Sequence, residues 1–80
     1  MKKIQLLTKK GYDGSIRKIL LGDTIIGVIG KTEEMKEIGL FSQLDLKTVR
    51  PWCIMYRSCY CVFGENELDL LENEGMEVKK

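Results

Sequence analysis

The feature that most constrains this chain is an apolar, aromatic stretch at residues 51–63, in which Arg57 is the single charged residue. Its aromatic and β-branched side chains alternate with small cysteines, a composition typical of a largely buried strand. Pro51 stands where a strand can begin. We therefore predict that this stretch forms the central strand or a pair of strands, and that the other elements pack on it.

The length and composition predict one small globular domain over residues 1–80. Hydrophobic residues make up 44% of the chain and charged residues 31%, which argues against disorder. No apolar run approaches the roughly 18 residues of a membrane helix, and the N-terminus has no apolar signal core. We expect a cytoplasmic protein with no membrane partner, and composition leaves its oligomeric state open.

Charge is unevenly distributed along the chain, although the net charge is only +1. Residues 1–20 contain six Lys or Arg and one Asp, whereas residues 64–78 contain six acids and no base. We expect the two ends to attract each other. A near-neutral total gives little general attraction for phosphate, so nonspecific nucleic-acid binding is disfavoured.

Short β-branched or alternating runs, separated by turn signals, predict an all-β domain. The runs are residues 3–9, 24–30, 37–41, 42–50 and 68–72. In the last run, Leu68 and Leu70 are expected to point inward, and the tail is expected to be frayed from about residue 73. Between Gly11 and Gly14 we expect a protruding loop that carries Tyr12 outward.

Two segments allow a helical interpretation as well as a hairpin one. In residues 15–22, Ser15 and Gly22 can cap one or two helical turns, or the segment is the returning arm of a hairpin. In residues 32–39, acids follow Thr32 and Gly39 offers a stop, so either a helix of at most two turns or a polar connection fits. The predicted fold is a small five-stranded barrel with or without one short helical turn.

Short motifs at the two ends of the chain carry a resemblance to a known family. They are residues 3–7 and 11–14 at one end, and residues 60–63 and 67–72 at the other. With these motifs the chain resembles small single-domain bacteriophage proteins that form Src-homology-3-like barrels. The resemblance implies a five-stranded barrel of phage or mobile-element origin, placed in the host cytoplasm, in a group where some small proteins block host defences. It covers the first and last strands and carries over no functional residue, so on function it is an analogy.

The three cysteines are candidates for metal binding or for core packing. A structural zinc site needs four ligands at spacings such as Cys-x-x-Cys, and the chain has no histidine. Under strict alternation Cys53, Cys59 and Cys61 share one face with Met55 and Phe63, as small core-filling side chains would. We predict reduced thiols, with Cys59 and Cys61 mostly buried, and neither a metal nor another cofactor.

The sequence favours binding over catalysis. It contains no histidine, no Gly-x-Ser-x-Gly elbow and no phosphate-binding loop. The acids of residues 65–77 are typical of a solvated face. We therefore predict that this protein is not an enzyme.

Aromatic side chains combined with arginine are typical of protein-binding hot spots and of platforms that stack on single-stranded bases. The alternative is that the rings fill the core of the domain. Arg57 fits equally a tight turn that splits residues 51–63 into a hairpin. The candidate binding residues are Tyr12, Arg17, Arg50, Trp52, Tyr56 and Arg57.

These observations leave three hypotheses, given in order of preference. The first is a noncatalytic protein-binding module, which by the resemblance is an anti-CRISPR-like inhibitor of a host defence protein. The second is a small nucleic-acid-binding β-barrel. The third is a thiol or zinc site.

Overall fold

The computed structural model describes residues 1–40 and 50–79. Within these ranges it contains six strands and two short helices. The strands are β1 (Lys2–Leu7), β2 (Arg17–Leu21), β3 (Thr24–Lys31), β4 (Trp52–Tyr56), β5 (Cys61–Gly64) and β6 (Met76–Val78). The helices are α1 (Thr32–Glu37) and α2 (Glu67–Asn73).

The strands form one sheet in the order β5-β4-β3-β2-β1-β6. Neighbouring strands are antiparallel, except that β6 runs parallel to β1. The sheet curls into a half-barrel, and α2 packs against β4, β5 and β6. The prediction was an all-β barrel of five strands; the structure is mostly β, but its described residues contain six strands and two helices.

Residues 51–63 form a hairpin, which is the strand-pair alternative. In this hairpin Ile54 is opposite Val62, and β4 lies between β3 and β5 in the sheet. The backbone N–H of Tyr56 donates to the carbonyl of Tyr60 over 2.9 Å, and Cys59 has a φ of 69° in the turn. The apolar stretch therefore provides β4, which has a neighbouring strand on each side, and β5, which lies at the edge of the sheet.

The prediction of a strand at residues 68–72 is wrong, because this segment lies in α2. The side chain of Asn66 accepts from the backbone N–H of Asp69 and so caps the helix. Leu70 and Leu71 are both buried, which adjacent residues of a half-buried strand cannot be, since their side chains point to opposite faces. Leu68, expected inward, is 66% exposed.

The tail also differs from the expectation of a frayed end. Met76–Val78 forms β6, and two further bonds fasten it to β1: Lys2 N–H to the Gly75 carbonyl, 2.9 Å, and Lys79 N–H to the Ile4 carbonyl, 2.7 Å. A parallel partner for β1 therefore comes from the segment predicted to be free.

Three other segments can be compared with their predictions. Arg17–Leu21 is a strand, so the hairpin-arm alternative for residues 15–22 is correct. Thr32–Glu37 is a helix followed by Gly39 at φ +86°, as the helical alternative required. Residues 37–40 consequently form no strand, and the rest of the runs predicted at 37–41 and 42–50 falls outside the described residues, apart from the exposed Arg50.

The main core lies between the sheet and α2. Each of the first four strands contributes one fully buried isoleucine, and α2 and β6 complete the cluster. Its members are Ile4, Ile19, Ile29, Ile54, Leu70, Leu71 and Met76. Across the described ranges, neither helix has the length and apolar character needed to cross a membrane.

Candidate functional site

An open apolar groove of about 200 Å³ lies on the face of the sheet opposite α2. Strand alternation places it there, because Leu7 and Lys18 pair across β1 and β2 while their neighbours Leu6 and Ile19 pack on the α2 side. The residues that line the groove are Leu7, Lys9, Tyr12, Ile16, Lys18, Val28 and Ile38. The groove is thus assembled from three strands, the β1–β2 loop and the end of α1.

Large apolar side chains remain exposed around the groove. Leu7 is 51% exposed and Ile38 is 58% exposed, and both line the groove. Clustered exposed apolar side chains mark interaction surfaces. The volume of about 200 Å³ is smaller than the roughly 300–1,000 Å³ of typical small-molecule sites. A groove of this volume has room for one or two side chains.

Among the described residues that line the groove, the charged ones are Lys9 and Lys18. Lys18 extends from β2 beside Val28, its partner on β3, and Lys9 follows the end of β1. Long lysine stems cover apolar surface while the ammonium groups stay in water. The groove therefore offers an apolar floor with positive charge beside it.

One wall of the groove is fixed by hydrogen bonds to Glu34, which we call the Glu34 clamp (Tyr12, Ser15 and Glu34). The Tyr12 hydroxyl donates to Glu34 Oε1, and the Ser15 hydroxyl donates to Oε2. Ser15 N–H also donates to Oε2 over 2.8 Å, and Lys31 N–H donates to Ser15 Oγ over 2.9 Å. The clamp thus joins the β1–β2 loop to β3 and α1.

The clamp shifts the acidity of its own members. Hydrogen bonds from Ser15, and then from Tyr12, lower the pKa of Glu34 below its ordinary value. The bond to the Glu34 carboxylate raises the pKa of Tyr12. Both shifts favour the ionised carboxylate paired with the neutral phenol, which is the arrangement the clamp uses.

The clamp requires glycine at residue 14, because the backbone there lies close to the side chains of Glu34 and Tyr12. A Cβ added at residue 14 would overlap Glu34 Oε1 and the hydroxyl of Tyr12. The prediction that the loop carries Tyr12 outward is accordingly wrong. The ring folds back against α1, is half-buried and forms part of the groove wall.

The predicted arginines lie apart from the groove, and two of them pair with acids of the C-terminal segment. Arg17 forms an ion pair with Glu67 of α2, and Arg50 Nε lies 3.5 Å from Glu65 Oε1. The Arg50 pair is well exposed, so it adds little stability. The third, Arg57, is exposed at the hairpin turn, as the tight-turn alternative required.

The expected attraction between the two ends of the chain is present in the structure. Lys3 Nζ lies 3.0 Å from Glu77 Oε2, and the Arg17–Glu67 pair joins β2 to α2. These ion pairs neutralise part of the positive charge of residues 1–20.

The predicted aromatic residues of β4 pack on the main core. Trp52 and Tyr56 are half-buried beside the core cluster, which agrees with the core-filling alternative for these rings. The Tyr56 hydroxyl donates to Glu74 Oε1 over 2.6 Å, and burial raises the pKa of Tyr56 far above its ordinary value. The ring of Tyr60 stacks on Tyr56 with centroids 6.2 Å apart and is 63% exposed.

The cysteines are all free thiols, in three different environments. Cys53 is buried, and burial raises its pKa to about 12. Cys61 is half-buried, whereas Cys59 is exposed because it lies in the hairpin turn. The prediction that Cys59 is mostly buried is therefore wrong. In residues 1–40 and 50–79 no group of three or more His, Cys, Asp or Glu side chains is placed to hold a metal.

The six predicted site residues do not form one site. Only Tyr12 lines the groove. The strand sequences contain a signal that could have predicted the groove. Leu7 is an apolar residue on the otherwise polar face of β1, and Val28 lies in a run that is apolar on both faces. A strand that is apolar on both faces indicates that the second face of the sheet is either covered by another element or available for binding.

Comparison with protein-family models, with curated proteins and with solved structures gave no match to this chain.

Proposed function

We propose that this protein is a noncatalytic protein-binding module and that the groove between the β1–β2 loop and α1 is its binding site. The observation that carries the proposal is the exposure of Leu7 and Ile38, two large apolar side chains that line the groove. Buried anchor side chains in such depressions dominate the energy of many protein interfaces. The partner inserts an apolar side chain between these residues.

The lining of the groove supports contact rather than chemistry. Its side chains are aliphatic, lysine and tyrosine, and the Tyr12 hydroxyl is already bonded to Glu34. A wall held by the Glu34 clamp is ordered before binding, which lowers the entropic cost of association. These features favour a preformed docking surface.

A finer form of the proposal comes from the resemblance at the two ends of the chain. In that form the domain is a Src-homology-3-like barrel of phage or mobile-element origin. It acts in the host cytoplasm as an anti-CRISPR-like inhibitor of a host defence protein. A small curled sheet is compatible with this barrel type, and the fold itself hosts many functions.

The test compares two exposed isoleucines, one that lines the groove and one that does not. Ile38→Glu places a charge at the groove, and Ile25→Glu places the same charge on β3 at a residue outside the groove lining; the parent side chains are 58% and 37% exposed. Immobilised wild-type and variant proteins are used to capture partners from a bacterial lysate, with identification by mass spectrometry. Loss of capture by Ile38→Glu alone supports the groove, and equal capture by both variants and the wild type rules it out.

The second candidate function, nucleic-acid binding, is favoured by one observation at the hairpin turn. The exposed ring of Tyr60 stacks on Tyr56 beside the exposed Arg57. An exposed ring beside arginine can stack on a base of a single strand. If this turn binds nucleic acid, fluorescence anisotropy of a labelled single-stranded oligonucleotide will show affinity that falls steeply with salt and is lost in Tyr60→Ala.

A further inference from the structure

Three sulfur-containing side chains meet on the face of the sheet opposite α2. In β4, Ile54 belongs to the main core, so its neighbours Cys53 and Met55 lie on the other face. Met55 is opposite Cys61 of β5, and paired residues of neighbouring strands share a face. We call Cys53, Met55 and Cys61 the sulfur cluster.

The side chains of the sulfur cluster lie close together. The thiols of Cys53 and Cys61 hydrogen-bond to each other. Because the adjacent pair, Tyr56 and Tyr60, is hydrogen-bonded, Met55 and Cys61 form a non-hydrogen-bonded pair, the kind in which side chains are closer. Cys53 is fully buried, whereas Met55 and Cys61 are half-buried. The cluster is therefore held inside the domain but has a side that solvent reaches.

The spacing of the two thiols suits a bridging ion better than a disulfide. Cys53 is opposite Phe63, so Cys53 and Cys61 are diagonal neighbours in the hairpin. Diagonal residues have Cα atoms about 7–8 Å apart, whereas a disulfide usually requires roughly 4.4–6.8 Å. An ion between the sulfur atoms adds two metal–sulfur bonds, each about 2.3 Å long for a zinc thiolate, and so spans the longer distance. Both thiols are free and available as ligands.

The set of donor atoms selects the ion. Thiolate and thioether sulfur are soft ligands, which favour Cu(I), zinc and iron–sulfur clusters. Structural zinc sites and iron–sulfur clusters take four ligands, and the described part of the chain has no group of three or more His, Cys, Asp or Glu side chains placed to hold a metal. Cu(I), with its filled d shell, forms stable complexes with only two thiolates. Two thiolates and one thioether therefore fit Cu(I).

We propose that Cys53 and Cys61 bind one Cu(I) ion as thiolates, with the thioether of Met55 as a weaker third ligand. Binding transfers no electrons, because the two thiols release their protons and the thiolates share the ion. The site is independent of the proposed function, since none of its three residues lines the groove. It departs from the sequence prediction of a protein without metal.

The experiment titrates the reduced protein with Cu(I) under anaerobic conditions, in competition with the coloured Cu(I) chelator bicinchoninate. The test variant is Cys61→Ser, at the half-buried ligand, and the control is Cys59→Ser, at the exposed thiol of the turn. We expect the wild type and Cys59→Ser to withdraw one Cu(I) per chain from the chelator. Loss of a direct ligand in Cys61→Ser should weaken binding by more than the roughly 10–100-fold that changes around a metal site cost.

Two further variants test the other ligands. Cys53→Ala removes the second thiol and should also lose the ion, and Met55→Leu should keep the one-to-one stoichiometry and bind more weakly. Circular dichroism shows whether each variant is folded. If Cys53→Ala does not fold, the contrast between Cys61→Ser and Cys59→Ser still decides the question.

Three outcomes overturn the proposal. A wild-type protein that withdraws no Cu(I) from the chelator has no such site. Equal binding by Cys61→Ser and the wild type places the ion elsewhere. If Cys59→Ser loses the ion as fully as Cys61→Ser does, the Cys-x-Cys pair at the turn is the site and the sulfur cluster is not.

Discussion

The hydroxyl of Tyr12 donates to the carboxylate of Glu34, so a loop residue and a helix residue 22 positions apart define one wall of the groove. The same carboxylate accepts from the hydroxyl and the backbone N–H of Ser15. The hydrogen bonds to Glu34 thus hold the β1–β2 loop in the position that forms the groove wall. We therefore expect that a substitution which disorders the β1–β2 loop also changes the shape of the groove.

Gly14→Ala is expected to open the clamp. The added methyl group overlaps Glu34 Oε1 and the Tyr12 hydroxyl, and overpacking of this kind costs about 1–3 kcal/mol. Urea denaturation measures the loss of unfolding free energy. Asp13→Ala, at the exposed neighbouring residue, is the control and is expected to change stability by no more than about 0.5 kcal/mol. Equal stability of the two variants would show that the clamp does not constrain residue 14.

The contribution of Glu34 to stability is expected to depend on pH. The pKa of Glu34 is lowered in the folded state from an ordinary value of 4.5, so its stabilising effect is present above that value and is lost as the pH falls through the folded-state pKa. The stability difference between wild type and Glu34→Gln should therefore narrow in acid. Thermal unfolding at several pH values between 3 and 7, roughly the range over which carboxylates titrate, measures this difference. A difference that is constant with pH contradicts the assignment, and Glu33→Gln on the same helix is the control.

Two predicted binding residues, Trp52 at the start of β4 and Arg57 in the turn after β4, should respond differently to substitution. Trp52 packs on the core, so Trp52→Ala is expected to cost about 3 kcal/mol, at the lower end for large-to-small changes because the ring is only half-buried. Arg57 is exposed in the turn, and Arg57→Ala should cost no more than about 0.5 kcal/mol. Chemical denaturation of both variants tests the contrast. A large loss in Arg57→Ala would mean that the arginine stabilises the hairpin.

The three thiols should react at different rates. Cys59 is exposed and is expected to label first, and Cys61 is half-buried and should follow. Cys53 should label last, because it is buried and its pKa is raised to about 12, which suppresses the reactive thiolate. Timed alkylation followed by peptide mass spectrometry gives the order. Labelling of Cys53 as fast as Cys59 would contradict the burial of β4.

Elements with a strong local signal were predictable from the sequence. The β-branched run at residues 24–30 forms β3, and the apolar stretch at residues 51–63 forms a strand pair. The α2 helix was missed because Leu68 and Leu70 alternate like strand residues, and only the cap at Asn66 and the adjacent buried pair Leu70 and Leu71 distinguish a helix. A short helix has too few turns for its hydrophobic periodicity to be distinguished from the alternation of a strand.

The groove was not predictable from composition, because it depends on strand register. Leu7, Lys18 and Val28 are far apart in sequence and become neighbours only through the pairings of β1 with β2 and of β2 with β3. The sequence search selected aromatic and arginine side chains within single segments. Apart from Tyr12, which lines the groove, those side chains pack on the core, pair with acids or lie at a turn.

The parallel pairing of β6 with β1 has a consequence for synthesis on the ribosome. Lys2, Lys3 and Ile4 find their partners at Met76, Glu77 and Val78, so the strand that is made first completes its hydrogen bonds with the strand that is made last in the sheet. The hairpins of β1 to β3 can form while the chain emerges, but one edge of β1 stays open to other chains until residue 78 leaves the exit tunnel. The time between the emergence of β1 and that of β6 therefore sets how long that edge can recruit a wrong partner.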